Sequence, residues 1–233
     1  MSLLKLKNLT IGYKKPLVSD LNLEIGSSKL IFLLGENGSG KSTLMKTMFK
    51  IIPVLDGKII YQGRDIQELN AKVWSEVISA VFSRIGVVPM IPVRELIEIG
   101  AHNTDAAFTQ KVINLLGIET LLDKYANEIS DGQLQKVMIA RALMQNTHYV
   151  FFDEPTAHLD FKNKSYVFNL LKELVHSTQK TFIVISHEIL HALELADEIW
   201  YIDQGKLWKG DAVTIDQQFQ LREQILRLKQ YES

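Results

Sequence analysis

The sequence predicts an α/β fold, a parallel sheet covered on both faces by helices. Three observations predict it. Apolar runs of strand length recur along the 233 residues, at 30–34 (LIFLL), 149–152 (YVFF), 181–185 (TFIVI) and 199–202 (IWYI). Helical patterns separate most of them, at 42–52, 131–144, 164–177 and 189–195. Apolar strands that alternate with helices belong to a sheet buried on both sides. The third observation is the stretch Gly35-Glu36-Asn37-Gly38-Ser39-Gly40-Lys41-Ser42, which joins the first of these strands to the first helix.

The rest of the chain follows in order. Segments 3–9, 18–25 and 58–61 read as short strands around turns such as Leu55-Asp56-Gly57, and predict a small antiparallel sheet beside the parallel one. From about 84 to 145 the pattern is mainly helical and lies between two core strands, which predicts a helical subdomain inserted into a single domain spanning 1–233. The polar stretch 217–231 reads as a helix too short for another domain.

Composition narrows the function. A formal net charge of −1 gives no global field that would draw the chain to nucleic acid or to an anionic membrane. With no cysteine, disulfides, thiolate metal sites and cysteine nucleophiles are excluded, and a reducing compartment is compatible. The opening residues MSLLKLKNLTIGYKK lack the apolar run of a secretory signal. No segment approaches the ~20 apolar residues of a membrane span, so a membrane role requires a partner.

Residues 35–42 fit G-x-x-x-x-G-K-[ST] with an apolar strand before and a helix after. Such glycines let the backbone curl so that successive N–H groups meet phosphate oxygens, and the helix N-terminus adds partial positive charge. Lys41 brings a point charge to the β and γ phosphates, and the Ser42 hydroxyl is a candidate Mg²⁺ ligand. Gly35, Asn37, Gly38, Ser39, Gly40 and Thr43 complete this candidate cradle for ATP. The strand at 149–152 runs into Asp153 and Glu154. An aspartate there suits Mg²⁺, and the adjacent glutamate suits a base that takes a proton from an attacking water. The alternative is a solvated turn, with Pro155 ending the strand. In Ile129-Ser130-Asp131-Gly132-Gln133 the serine caps a helix and Gln133 completes a capping box.

These segments carry a family resemblance. ISDGQLQKVMIARAL resembles the signature of ABC ATPases, with Asp131 where the usual LSGGQ form has its first glycine. FFDEPTAHLD resembles the Walker B strand and the D-loop, ISHE resembles the switch, and TIGYKKP matches the segment with the adenine-stacking aromatic. The resemblance covers nearly the whole chain, with the motifs in the family's order. It implies a P-loop NTPase of ABC type: a RecA-like core, an N-terminal antiparallel β subdomain and an inserted α-helical subdomain. It also implies ATP hydrolysis with Mg²⁺ in a head-to-tail, ATP-dependent dimer. Tyr13 would stack on adenine, or else be a core aromatic of the first sheet. His187 would meet the γ-phosphate, or else cap a strand. Ser130, Gly132 and Gln133 would close the second copy's site, and Asp160 would lie at the dimer interface while capping a helix.

A compact cassette of this kind resembles an importer subunit, or an exporter subunit encoded apart from its permease, and among importers it looks most like ATPases for iron chelates, haem or cobalamin. The resemblance implies integral-membrane permease subunits as partners and, indirectly, a substrate-binding protein. Nucleic acid is not an expected partner. The location implied is peripheral, on the cytoplasmic face of the inner membrane. The alternative class is a non-transport ABC ATPase acting on ribosomes or DNA. Segment 86–93, apolar and broken by Pro89 and Pro92, is the docking site for a permease helix that the resemblance implies, or else packs in part inside the helical insertion, whereas the Met and aromatic residues of 44–52 read as core without a function. In one respect the chain departs from the family. Ser83 stands where the family carries a glutamine, and no glutamine lies between Gln67 and Gln110.

Overall fold

The structure, a computed structural model, describes residues 4–82, 88, 90–101, 104–157 and 159–224. It contains a four-stranded and a six-stranded sheet. Strands β1 (Leu4–Gly12), β2 (Pro16–Ile25), β4 (Asp56–Tyr61) and β5 (Arg64–Asp65) form the smaller, antiparallel one, in the order β2-β1-β4-β5. The larger sheet runs β10-β9-β3-β8-β7-β6, built from β3 (Leu30–Gly35), β6 (Ile78–Phe82), β7 (Tyr149–Asp153), β8 (Thr181–Ile185), β9 (Glu198–Asp203) and β10 (Lys206–Gly210). Five of its strands are parallel, and β10 pairs antiparallel at the edge.

The continuous apolar runs serve two cores at once, because side chains alternate across a strand. Leu30, Phe32 and Leu34 of β3 face one core with Val150 and Phe152 of β7 and Phe182 and Val184 of β8. Ile31 and Leu33 face the other core, with Phe151, Ile183 and Ile185, and there they meet Leu6, Leu9, Ile11 and Leu23 of the antiparallel sheet. Helices α1 (Lys41–Met48) and α2 (Ala71–Ser75) attend this second core through Leu44, Met45, Met48 and Trp74. The Trp74 indole N–H donates to the Met48 carbonyl at 2.8 Å and ties the two helices together.

Between β6 and β7 lie α3 (Val93–Glu98), α4 (Ala106–Leu116) and α5 (Asp131–Met144), and α5 touches both of the others and β6. The bounds of α5 coincide with the sequence expectation because its capping box forms. The Ser130 Oγ accepts from the Gln133 N–H, and Gln133 Oε1 accepts from the Ser130 N–H at 3.1 Å. Three further helices, α6 (Phe161–Thr178), α7 (Ile189–Leu195) and α8 (Ala212–Phe219), complete the fold.

Some boundaries differ from expectation. The helix expected over 42–52 ends at Met48, and Asp56 and Gly57, read as turn, open β4. At the C-terminal end, α8 starts at Ala212 with Asp211 as its cap and stops at Gln220, whose φ of 52° breaks the helix. Residues 221–224 are helical again, and the remainder of 217–231 lies outside the described residues. Strand β10 was not anticipated; Gln204 and Gly205, with φ of 45° and 73°, make the tight turn that folds it onto β9.

Candidate functional site

The cradle forms where β3 meets α1. Gly35 leaves the strand with φ 141°, and a Cβ there would stand 2.6 Å from the Ile202 carbonyl oxygen. Gly40 caps α1 with φ 118°, and its Cβ would stand 2.7 Å from Val18 Cγ2. At both positions a side chain is excluded by backbone angle and by space. The loop therefore curls beneath the helix N-terminus, whose first N–H groups lack intrahelical partners. Lys41 is buried and spans the loop, its ammonium donating to the Gly35 and Glu36 carbonyls at 2.6 and 2.8 Å.

Parallel register brings the other groups to the same sheet edge. Asp153 is level with Phe82 on β6 and Ile185 on β7's other neighbour, β8, so the carboxyl ends of the three strands finish together. In open α/β sheets ligands bind outside those ends. A cleft of about 490 Å³ opens there. Tyr13, Asn37, Gly38, Gly40, Lys41, Ser42, Thr43, Asp153, Glu154 and His187 line it. Tyr13 is 63% exposed, which removes the core-aromatic alternative. Gly35 and Ser39 shape the loop without lining the cleft, and the Ser39 Oγ is buried without a hydrogen-bond partner.

Burial and charge act against each other at this edge. Glu154 holds a left-handed backbone, φ 49°, a conformation that costs a non-glycine residue about 1–3 kcal/mol. Its N–H donates to the Ile185 carbonyl at 2.9 Å, which fixes it between β7 and β8. His187 Nε2 lies 3.0 Å from Glu154 Oε1. Burial pushes the Glu154 carboxyl up to about 7, with Lys41 pulling down and Asp153 adding to the rise. Burial also raises Asp153, against the pull of Lys46 and Lys41. Burial, then Lys41, lowers His187, while Glu188 opposes the shift. Lys41 is lowered by burial too, while Glu154, Asp153 and Glu36 oppose the shift.

Among the described residues, no group of three or more His, Cys, Asp or Glu side chains stands together as a metal cage. The cleft offers the Ser42 hydroxyl and the Asp153 carboxylate instead. Few protein oxygens, with phosphates as the remaining ligands, is the donor set that Mg²⁺ prefers.

The signature residues are elsewhere. Ser130, Gly132 and Gln133 line a separate cleft with Asp131, Leu159, Asn163 and Tyr166. A Cβ on Gly132 would meet nothing within 4 Å. Asp160 lines neither cleft. It caps α6, with Oδ1 accepting from the Asn163 N–H at 2.8 Å.

An apolar groove that the sequence did not reveal lies between α1, α2, β6 and α5, with Ile51, Trp74, Phe82, Met138 and Arg141 on its walls. Ile51 is 64% exposed and Phe82 46%, while Met45 and Met48 are buried and Phe49 is half-buried against the core, as expected of the Met and aromatic residues of 44–52. Of the expected docking segment 86–93, Met90 is exposed, and Val88 and Ile91 are half-buried against the core. Gly86, Val87 and Pro89 lie outside the described residues, as does Ser83.

Comparison with known proteins adds descent to geometry. The family model described as ABC transporter matches residues 18–157. A Chlorella vulgaris ATP-binding protein, CysA, whose name assigns it to sulfate/thiosulfate import, is 34% identical over 193 residues, 80% of this chain and 81% of that protein. The achromobactin transport ATP-binding protein CbrD of Dickeya dadantii is 29% identical over 217 residues, 85% of this chain and 78% of that one. The solved structure of cbiO1 from Clostridium perfringens, part of the ABC transporter complex cbiONQ, superposes with a TM-score of 0.85 at 26% identity. That superposition covers 99% of this chain and 97% of the other. Descent and fold agree over most of the length: the chain belongs to the ABC transporter family, as an ATP-binding subunit with ATPase activity.

Proposed function

We propose that this chain is one of two identical ATP-hydrolysing subunits that drive an ABC importer, and that the cargo is an iron chelate, haem or cobalamin. The observation that carries the dimer is the separation of the cradle and the signature into different clefts of one chain. A second copy, head to tail, would bring its Ser130 hydroxyl and the N-terminus of its α5 to the nucleotide held by the first. Gly132 supports this, since nothing in its own chain requires a glycine there.

In the closed site the cradle amides and Lys41 hold the phosphates, and the adenine stacks on Tyr13. Ser42 and Asp153 would hold Mg²⁺, which would neutralise charge on the phosphates. Glu154, with a proton affinity near neutrality, takes a proton from water as its oxygen attacks the γ-phosphorus. The bond from that phosphorus to the β–γ bridging oxygen breaks, leaving ADP and inorganic phosphate. His187 donates to a γ-phosphate oxygen. Asp160 holds the start of α6 at the dimer interface.

Among the described residues no helix is long and apolar enough to cross a membrane. Transport therefore goes through permease subunits, with this chain bound at their cytoplasmic face in the inner membrane and a substrate-binding protein delivering the cargo. The groove at Ile51 and Phe82 receives a short cytoplasmic helix of the permease, since it is apolar, exposed and open beside α5. Ile51→Asp should abolish copurification with the permease and leave basal ATP hydrolysis within about twofold of wild type. Copurification unaffected by that substitution would remove the groove from the interface. The permease recovered in the same experiment identifies the cargo class.

A further inference from the structure

Behind His187, a set of paired side chains joins α7 to the first turns of α6. Lys164 Nζ donates to Glu188 Oε1 at 2.5 Å, with the two side chains 23% and 28% exposed. The Ser165 hydroxyl and His191 Nε2 are hydrogen-bonded at 2.9 Å, and His191 Nδ1 lies 3.7 Å from Glu188 Oε2. The His191 ring is buried, and its centroid is 5.6 Å from that of Phe161 and 5.0 Å from that of Phe168.

Neither helix needs the ion pair for its own end. Glu188 is the N-cap of α7 yet makes no side-chain cap, and its carboxylate turns to α6 instead. The pair is mostly buried, so it holds α7 against α6. Its location gives it a second role. Glu188 follows His187 directly, and its N–H donates to the Ser186 Oγ at 3.1 Å. The Ile189 N–H donates to the His187 carbonyl at 2.9 Å. On the other helix, the Lys164 N–H donates to the Asp160 carbonyl at 2.9 Å. Direct contacts therefore run from His187 through Glu188 and Lys164 to Asp160. Neither Lys164 nor Glu188 lines the nucleotide cleft.

We propose that Lys164 and Glu188 are positioning residues for ATP hydrolysis, whose ion pair fastens the His187 loop to the Asp160 end of α6 so that His187 keeps one geometry at the γ-phosphate. The proposal rests on the reading of Glu154 and His187 as hydrolytic groups. A displacement of about 1 Å at such a group costs on the order of 10²-fold in rate. A residue that acts only by positioning changes kcat and leaves nucleotide binding alone.

The test is steady-state ATP hydrolysis by the full chain, with thermal unfolding of each variant measured beside it. Lys164→Met and Glu188→Gln should each lower kcat by about tenfold or more and keep the KM for ATP within about twofold. Lys164→Arg keeps the charge and the reach, and should restore most of kcat. Wild-type kcat in Lys164→Met and Glu188→Gln, beside an inactive Glu154→Gln, would overturn the proposal and leave the hydrolytic site standing. Equal losses in Lys164→Arg and Lys164→Met, in step with lost thermal stability, would overturn it as well. Near-normal turnover in Glu154→Gln would remove the hydrolytic reading and the proposal with it.

Discussion

The cradle cleft and the signature cleft are built on opposite terms. In the cradle, three unusual backbone positions have a reason within the chain: Gly35 lies against the Ile202 carbonyl, Gly40 against Val18, and Glu154 is pinned to β8 in a left-handed conformation, whereas Gly38, with φ 80°, borders the open cleft. The signature is a regular helix start. Ser130 and Gln133 satisfy each other, and Gly132 borders open space. One half of the site is largely shaped by its own fold, and the other half is an open cleft whose small residue leaves room for a group that approaches from outside. The proposed pairing of two copies would use that difference.

The largest effect should come from Glu154→Gln, which keeps size and polarity and removes the base. General bases contribute about 10²–10⁴-fold, so turnover should fall by at least about a hundredfold while ATP still binds. A coupled assay for phosphate release measures it, and near-normal turnover would place the base elsewhere. Next comes Lys41→Ala, which removes the buried ammonium from the cradle. Charge-assisted contacts contribute about 1.5–3 kcal/mol each, so ATP affinity should weaken by roughly 10- to 100-fold in calorimetric titration.

A smaller effect, but a sharper contrast, comes from the two glycines. Gly35→Ala places a Cβ where a carbonyl oxygen stands and should lower stability by roughly 1–3 kcal/mol. Gly132→Ala, inside a helix and facing open space, should raise stability by about 0.4–1 kcal/mol and yet reduce ATP turnover. Denaturant unfolding reads both. A destabilised Gly132→Ala chain would mean that the signature, too, is shaped by its own fold.

The sequence made the two-faced sheet legible because apolar runs without alternation have few other uses; 181–185 was bounded as β8 is. Segment 131–144 was equally clear, since a capping box states where a helix begins. Strand β10 was not, because Lys206, Trp208 and Lys209 are exposed and Leu207, half-buried against the core, gives too short an apolar signal for a strand. In the site, motif pattern and context named Lys41, Asp153 and Glu154, and the family resemblance named His187. That His187 Nε2 comes within 3.0 Å of Glu154 depends on the β7–β8 register, which no local pattern encodes. The groove was hidden for a related reason. Ile51 and Phe82 have the side chains of core residues, and only the open groove between the end of α1, α2, β6 and α5 leaves them outside.

The most direct test of the two-copy account is sedimentation velocity with ATP on Glu154→Gln and on the double variant Glu154→Gln/Ser130→Arg, with ATP affinity measured for each. The arginine adds bulk to the signature surface and leaves the cradle of its own chain untouched. Glu154→Gln should sediment as a dimer in ATP and as a monomer without it. The double variant should bind ATP with unchanged affinity and remain a monomer. A double variant that dimerises as readily as Glu154→Gln would contradict the account, because the signature would then play no part in joining the two copies.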